Sequence, residues 1–218
     1  MVRNKLTTIE EAVAGIRDGM TVMIGGFGIP GTPFTLIEEL VRQRPQHLTI
    51  IKNDANELDM GVDHLLKAGL VDRLITSHIG LNPRAVEEMN AGRLSVEFNA
   101  QGILAERIRA AGAGVTGILT DIGVGTMLEN GKRQIEVDGT VVLVETALRA
   151  DYALIHAAQA DRFGNLRFAA TARNFSPLMA MAAETTIVEV KDRWSQAALH
   201  LTISIRQVLS CRRLCHFP

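Results

Sequence analysis

Apolar residues recur along the chain in two rhythms. Over 8–17 they fall three and four apart, at Ile9, Val13 and Ile16, which predicts a helix with Thr7 or Thr8 as its N-cap. Asp18-Gly19 turns the chain, and the short apolar run 20–24 predicts a strand. A glycine-rich loop, Gly25-Gly-Phe-Gly-Ile-Pro-Gly31, follows. Thr32 and Pro33 stand as cap and first-turn proline of a helix over 34–42. Further strands are predicted at 48–52 and 73–77, then a helix over 84–91, a strand at 94–98 and a helix over 103–110. Strands at 134–137, 140–144 and 152–155 continue the pattern. This alternation predicts an α/β fold, an open, largely parallel twisted sheet flanked by helices. Ligands of such sheets lie outside the carboxyl ends of strands. The 25–31 loop, Asn53, Gly80 and Gln101 all fall just past strands.

Composition narrows the class. The chain of 218 residues is 47% hydrophobic and 22% charged, an average globular profile long enough for a real core. Lys and Arg number 23 against 24 Asp and Glu, so no basic surplus points to nucleic acid or an anionic membrane. No apolar run is long enough to span a bilayer. The first residues lack the apolar core of a signal peptide, and the two cysteines, Cys211 and Cys215, exclude a disulfide framework, so a cytoplasmic home is expected. His64 and His156 show no metal-ligand spacing, and no metal is expected.

Gly26-Phe-Gly28-Ile-Pro-Gly31 matches G-x-G-x-x-G between a strand and a helix, and Asp54 follows a second strand, as in dinucleotide-binding folds. Pro30 and Pro33 remove amide donors, however, and the best helix start comes after the third glycine. A second reading is a tight turn with glycines for steric reasons alone. In a third, the side-chain-free loop lets a long ligand lie against backbone, with anionic groups drawn to the following helix N-terminus and Phe27 as a gate or ligand contact.

The third reading has support along the chain. Val22-Met-Ile-Gly-Gly-Phe-Gly-Ile-Pro-Gly-Thr-Pro33, Lys52-Asn-Asp-Ala55 and Ser77-His-Ile-Gly-Leu-Asn-Pro83 stand in order with Ala100-Gln-Gly-Ile-Leu-Ala-Glu-Arg107. Ala160-Asp-Arg-Phe-Gly-Asn-Leu166 and Ala172-Arg-Asn-Phe-Ser-Pro-Leu-Met-Ala180 continue the set. Over about residues 6–190 the chain resembles the alpha subunit of family I coenzyme A transferases. The Ser77–Pro83 segment is more similar to the acetate/acetoacetate type than to the 3-oxoadipate branch.

The resemblance implies ping-pong transfer of CoA between short-chain carboxylic acids. It implies a CoA thioester as substrate, no permanently bound cofactor, and a hetero-oligomer with a beta subunit. In two-subunit forms the nucleophilic glutamate lies in the beta subunit, within Glu-Asn-Gly. Glu129-Asn-Gly131 matches that motif here, but its polar surroundings before a strand suit a tight Asn-Gly turn, so Glu129 is not assigned the role. Gly25, Gly26, Phe27, Gly28, Ile29, Pro30 and Gly31 are implied to contact CoA or close over the thioester. Gln101 is the implied catalytic residue, a buried amide donor to the partner's glutamate or the developing oxyanion. Asn53 is implied to position the acid's carboxylate, while Phe27 and Ile29 exclude water. For Asn53 and Gln101 the alternative is capping of strand-end loops. A 3-oxoacid or 3-oxoadipate transferase, and a non-catalytic nucleotide-binding or assembly module, are the competing functions.

Residues 1–193 are expected to form the domain, and the resemblance stops at a tail, 194–218. The family continues there with a stretch like Pro-Asp-His-Ile-His-Thr-Pro-Gly-Ile-Val-Val. Residues 200–211 can be encoded so that reading two bases later gives those eleven residues. A frameshift near codons 191–199 is therefore expected, and the nucleotide sequence of the gene decides it.

Overall fold

The computed structural model describes residues 7–161, 163–193 and 205–206. The first half alternates without exception. Helix α1 (Ile9–Val13) leads to β1 (Thr21–Ile24), α2 (Phe34–Gln43), β2 (Leu48–Ile51), α3 (Val62–Lys67), β3 (Val71–Thr76), α4 (Pro83–Asn90), β4 (Ser95–Phe98) and α5 (Gln101–Gly112). An antiparallel trio follows, β5 (Gly117–Thr120), β6 (Gln134–Val137) and β7 (Thr140–Thr146). The chain returns through β8 (Ala150–Ala160), β9 (Asn165–Arg167), α6 (Ser176–Ala182) and β10 (Ala183–Arg193), and β11 (Ile205–Arg206) is the last described element.

The main sheet has eight strands in the order β11-β9-β8-β1-β2-β3-β4, with β10 also paired to β8. Strands β10, β8, β1, β2, β3 and β4 run parallel, so the expected open parallel sheet is present. Side chains of a strand point alternately to opposite faces. Val22, Ile24, Ile50 and Leu74 accordingly join Leu36, Leu40 and Leu65 in one core, while Met23, Ile51 and Ile75 join Leu104, Ile108 and Met179 in the other. Burial on both faces explains why these strands read as unbroken apolar runs.

Several local expectations need correction. Thr8 does cap α1, accepting from the Glu11 amide at 3.2 Å. Thr32 does not cap α2: its hydroxyl donates to the Gly28 carbonyl at 2.6 Å, and Pro33 occupies the cap position with no side-chain bond. The Leu36 amide in the first turn donates instead to the Glu189 carboxylate at 3.1 Å, from β10. That helix terminus therefore already holds an anion of this chain, and the expected pull on a ligand's anionic groups there is not available.

The turn Glu129-Asn-Gly-Lys132 is closed by the Lys132 amide to the Glu129 carbonyl at 3.0 Å. Asn130 has φ −56° and ψ 126° and Gly131 φ 74°, a type II turn and not the primed hairpin turn its Asn-Gly pair suggests. Elements α3, β5, β9 and β10 had no counterpart in the sequence pattern; most are too short to complete a period. The expected boundary between 193 and 194 and nearly all of the tail lie outside the described residues.

Candidate active site

The carboxyl ends of β1, β2, β3 and β4 open on one edge of the sheet, and the sequence-predicted residues gather there. The 25–31 loop leaves β1 with Gly26 at φ 103°, Gly28 at φ 57° and Gly31 at φ 80°, left-handed backbone that glycine adopts without the Cβ penalty. A Cβ on Gly31 would come within 2.5 Å of the Ala172 carbonyl, so the loop lies directly on the 170–175 segment. Asn174 completes that support by donating to the Pro30 carbonyl at 2.8 Å.

Within the loop, the Phe27 amide donates to Pro30 and the Thr32 amide to Ile29. The Gly28 amide donates to Asp54 Oδ2 at 2.8 Å. The amides of Gly26, Ile29 and Gly31 have no acceptor among the described residues. They are the loop's free donors. Gly28, grouped with them by sequence, is engaged inside the chain.

Asn53 and Gln101 are in direct contact. Gln101 opens α5, and its Nε2 donates to Asn53 Oδ1 at 2.8 Å. Asn53 is completely buried, and its own Nδ2 donates to Asp54 Oδ2 at 2.9 Å. The Asn53 amide is thus bonded on both sides within the chain, accepting from Gln101 and donating one N–H to Asp54. Gln101 is exposed, contrary to the expected buried donor, and keeps one N–H and its Oε1 free. His78 Nδ1 lies 2.9 Å from Ser77 Oγ, a loop histidine with a local partner.

Two hollows flank this array, and a third of about 620 Å³, lined by Glu97, Arg107, Lys132, Arg133 and Glu145, adjoins the larger of them through Phe98, Met127 and Leu128. One, of about 580 Å³, surrounds Gln101 and is lined by Ser77, His78, Phe98, Asn99, Ala100, Thr126, Met127 and Leu128. The other, an apolar slot of about 80 Å³, lies between Phe27, Gly28, Ile29, Asp54, Met60, Ile79 and Leu81. No carboxylate lines the hollow around Gln101. Glu129 is engaged, accepting from the Gly125 amide at 2.6 Å. Around the rim, Phe27 is 46% exposed, Ile29 53%, Leu81 67% and Met127 76%. Large apolar side chains this open around a donor-lined recess mark a surface made to be covered.

A family model described as coenzyme A transferase matches residues 6–209. The chain belongs to the coenzyme A transferase family. It is 46% identical over 188 residues to the alpha chain of the acetate CoA-transferase of Escherichia coli (strain K12), covering 86% of each chain. It is 43% identical to the corresponding chain of the 3-oxoadipate CoA-transferase of Pseudomonas putida, over 87% of this chain and 83% of that one. Among solved structures it resembles an acyl-CoA transferase from Escherichia coli O157:H7, determined as a thioester complex with CoA. The TM-score is 0.79 at 26% identity, over 89% of this chain and 43% of the other. Within the family this chain is therefore an alpha subunit, one component of a multi-subunit enzyme, and the non-catalytic reading loses its ground.

Family membership leaves the supporting residues to the structure. The sequence marked Asp54 as part of a dinucleotide-fold pattern and of the Lys52–Ala55 motif without a role of its own, and its carboxylate is taken up by three N–H donors of this chain. Asn56 was missed, and Lys52 and Thr32, though named in the motifs, were given no part in holding the loop. The available signal was a lysine in an otherwise apolar strand at Lys52, where full burial demands a charged partner.

Proposed function

We propose that this chain, with a beta subunit, transfers CoA between short-chain monocarboxylic acids, of the acetate/acetoacetate kind, by a ping-pong reaction. The carrying observation is a recess that presents hydrogen-bond donors and an open apolar rim but has no carboxylate in the hollow around Gln101. The nucleophile then comes from the partner, whose glutamate attacks the thioester carbonyl. The C–S bond breaks, CoA leaves as the thiolate and an acyl-glutamyl anhydride forms. The thiolate attacks the glutamyl carbonyl, releasing the first acid and leaving a glutamyl-CoA thioester. The incoming acid reverses both steps.

This chain's part is binding, polarisation and exclusion of water. The amide of exposed Ile29, in the lining of the slot, and the free N–H of Gln101, in the hollow of about 580 Å³, are the donors for the oxyanion, each of a kind whose removal costs about 10²–10³ in rate. The first turn of α5, without a capping side chain, opens toward the same hollow and favours negative charge. Covering the apolar rim dries the site, which the anhydride requires.

The test is coexpression with a beta subunit, followed by assay of CoA transfer from acetoacetyl-CoA to acetate. Transfer is expected from the pair and not from this chain alone. Gln101→Ala is expected to lower kcat about 10²-fold with assembly unchanged. A CoA adduct trapped on an acidic side chain of the isolated chain overturns the assignment, and faster transfer to 3-oxoadipate than to acetate overturns the acid class. We also propose that residues 194–218 are read out of frame.

A further inference from the structure

Gly28 is held at both of its polar backbone atoms. Its amide donates to Asp54 Oδ2 at 2.8 Å, and its carbonyl accepts from Asn56 Nδ2 at 2.9 Å and Thr32 Oγ1 at 2.6 Å. Asp54 Oδ1 accepts from the Asn56 amide at 2.8 Å, so one carboxylate fixes the loop residue and the side chain that clamps it. The same Oδ2 that holds Gly28 also accepts from Asn53, which in turn accepts from Gln101 at 2.8 Å. A continuous path of hydrogen bonds thus runs from the glycine loop on β1 to the first residue of α5.

Behind it lies Lys52, completely buried, its Nζ 3.5 Å from Asp54 Oδ1 and without a well-formed hydrogen bond to any group. A buried ammonium this poorly solvated is costly unless a charge faces it. Asp54 is that charge. Burial raises the Asp54 carboxyl, but Lys52 and the N–H donors of Gly28, Asn53 and Asn56 more than reverse this and hold it below the usual carboxylate range. Burial also lowers the Lys52 ammonium, against the opposing pull of Asp54.

We propose that Asp54, facing Lys52 across 3.5 Å, is the positioning residue of this site, fixing the glycine loop and the Gln101 amide in one mutual geometry. The proposal rests on the function proposed above. A donor set of this kind works only if it is in place before charge develops, and a misplacement of about 1 Å can cost about 10²-fold in rate. Neither Asp54 nor Lys52 needs to touch substrate for this.

The experiment uses the reconstituted two-subunit enzyme carrying Asp54→Ala, Asp54→Asn or Lys52→Met. For Asp54→Ala, kcat is expected to fall about 10²-fold while KM for acyl-CoA changes less than about threefold. Asp54→Asn keeps one oxygen for the amide donors and is expected to recover about tenfold of that loss. Amide hydrogen exchange at Gly28 should be slow in the wild-type enzyme and at least about tenfold faster in Asp54→Ala.

Lys52→Met serves where Asp54→Ala does not fold. With the ammonium gone the Asp54 carboxyl rises, so the acid limb of kcat is expected to begin at higher pH than in the wild type. His78, at the bridge position opposite Asp54, and Glu57, in the lining of the apolar slot, are the other titratable groups near it, and both are unchanged in that variant.

A kcat for Asp54→Ala within threefold of wild type, Gly28 exchange that does not respond, or an unmoved acid limb in Lys52→Met overturns the proposal. Wild-type enzyme that transfers no CoA overturns the functional reading instead, and Gly28 exchange still decides the tether.

Discussion

Arg107→Ala is expected to lower the stability of the chain by about 1–3 kcal/mol, read from the midpoint of urea unfolding. Arg107 lies in α5 and is only 6% exposed. Its Nη1 donates to Glu97 Oε1 at 2.6 Å and to Asn99 Oδ1, and its Nε donates to the Thr146 carbonyl at 2.7 Å. Glu145, also buried, approaches the same guanidinium at 3.8 Å and is bridged by Lys132. These bonds join the main sheet at β4 to the antiparallel trio at β7 across α5. Removing the guanidinium leaves half-buried Glu97 with Arg73 and buried Glu145 with Lys132 as their remaining cations, and leaves Asn99 Oδ1 and the Thr146 carbonyl without this donor. Arg107→Lys is expected to recover only part of the loss, because an ammonium cannot reproduce the planar fork.

The acid response gives the sign. Burial raises the Glu97 carboxyl, but Arg107 and then Arg73 outweigh it and hold it below its ordinary value of 4.5. A depressed carboxyl stabilises the fold above its unfolded value, and that contribution fades as pH falls through the native value. Stability of the wild-type chain is therefore expected to fall more steeply on acidification below about pH 4.5 than that of Arg107→Ala.

Gly26→Val carries the largest expected effect on catalysis, a loss of kcat of about 10³-fold or more in the two-subunit enzyme. At φ 103° the Gly26 backbone is in a region that side-chain-bearing residues rarely adopt. A Cβ there would collide with the Thr32 hydroxyl and stand 2.7 Å from the Thr32 amide nitrogen. Thr32 Oγ1 is also one of the clamps on the Gly28 carbonyl, so the whole donor loop must move. The core β-strands do not include this loop, and the far-ultraviolet circular dichroism of the variant is expected to match wild type. Gly80→Ala is the control: a Cβ there meets nothing within 4 Å, and its kcat is expected within about twofold of wild type.

The parallel half of the fold was legible because its strands are buried on both faces. Uninterrupted apolar runs such as Val22-Met-Ile24 then need no partner in view to be recognised. The antiparallel trio was legible only in part, since β6 and β7 show their pattern while Gly117-Ile-Leu-Thr120 is too short to declare itself. At the site, the glycine loop, Asn53 and Gln101 stood out through their motifs, and the structure does bring them to one edge. Their division of labour did not stand out. Asn53 proves buried and hydrogen-bonded to Asp54 and Gln101, while Gln101, expected to be buried, is exposed.

Periodicity and turn chemistry by themselves determined the parallel architecture, and the ordered motifs determined the family to which the chain belongs. They act over a few residues, and the order of residues records them directly. Tertiary structure alone decided that Glu189 occupies the N-terminus of α2 from 153 residues away, that Asp54 joins the loop to Gln101, and that the hollow around Gln101 has no carboxylate. A hydrogen bond or charge pair depends on separation in space, and closing the chain on itself sets that separation independently of distance along it.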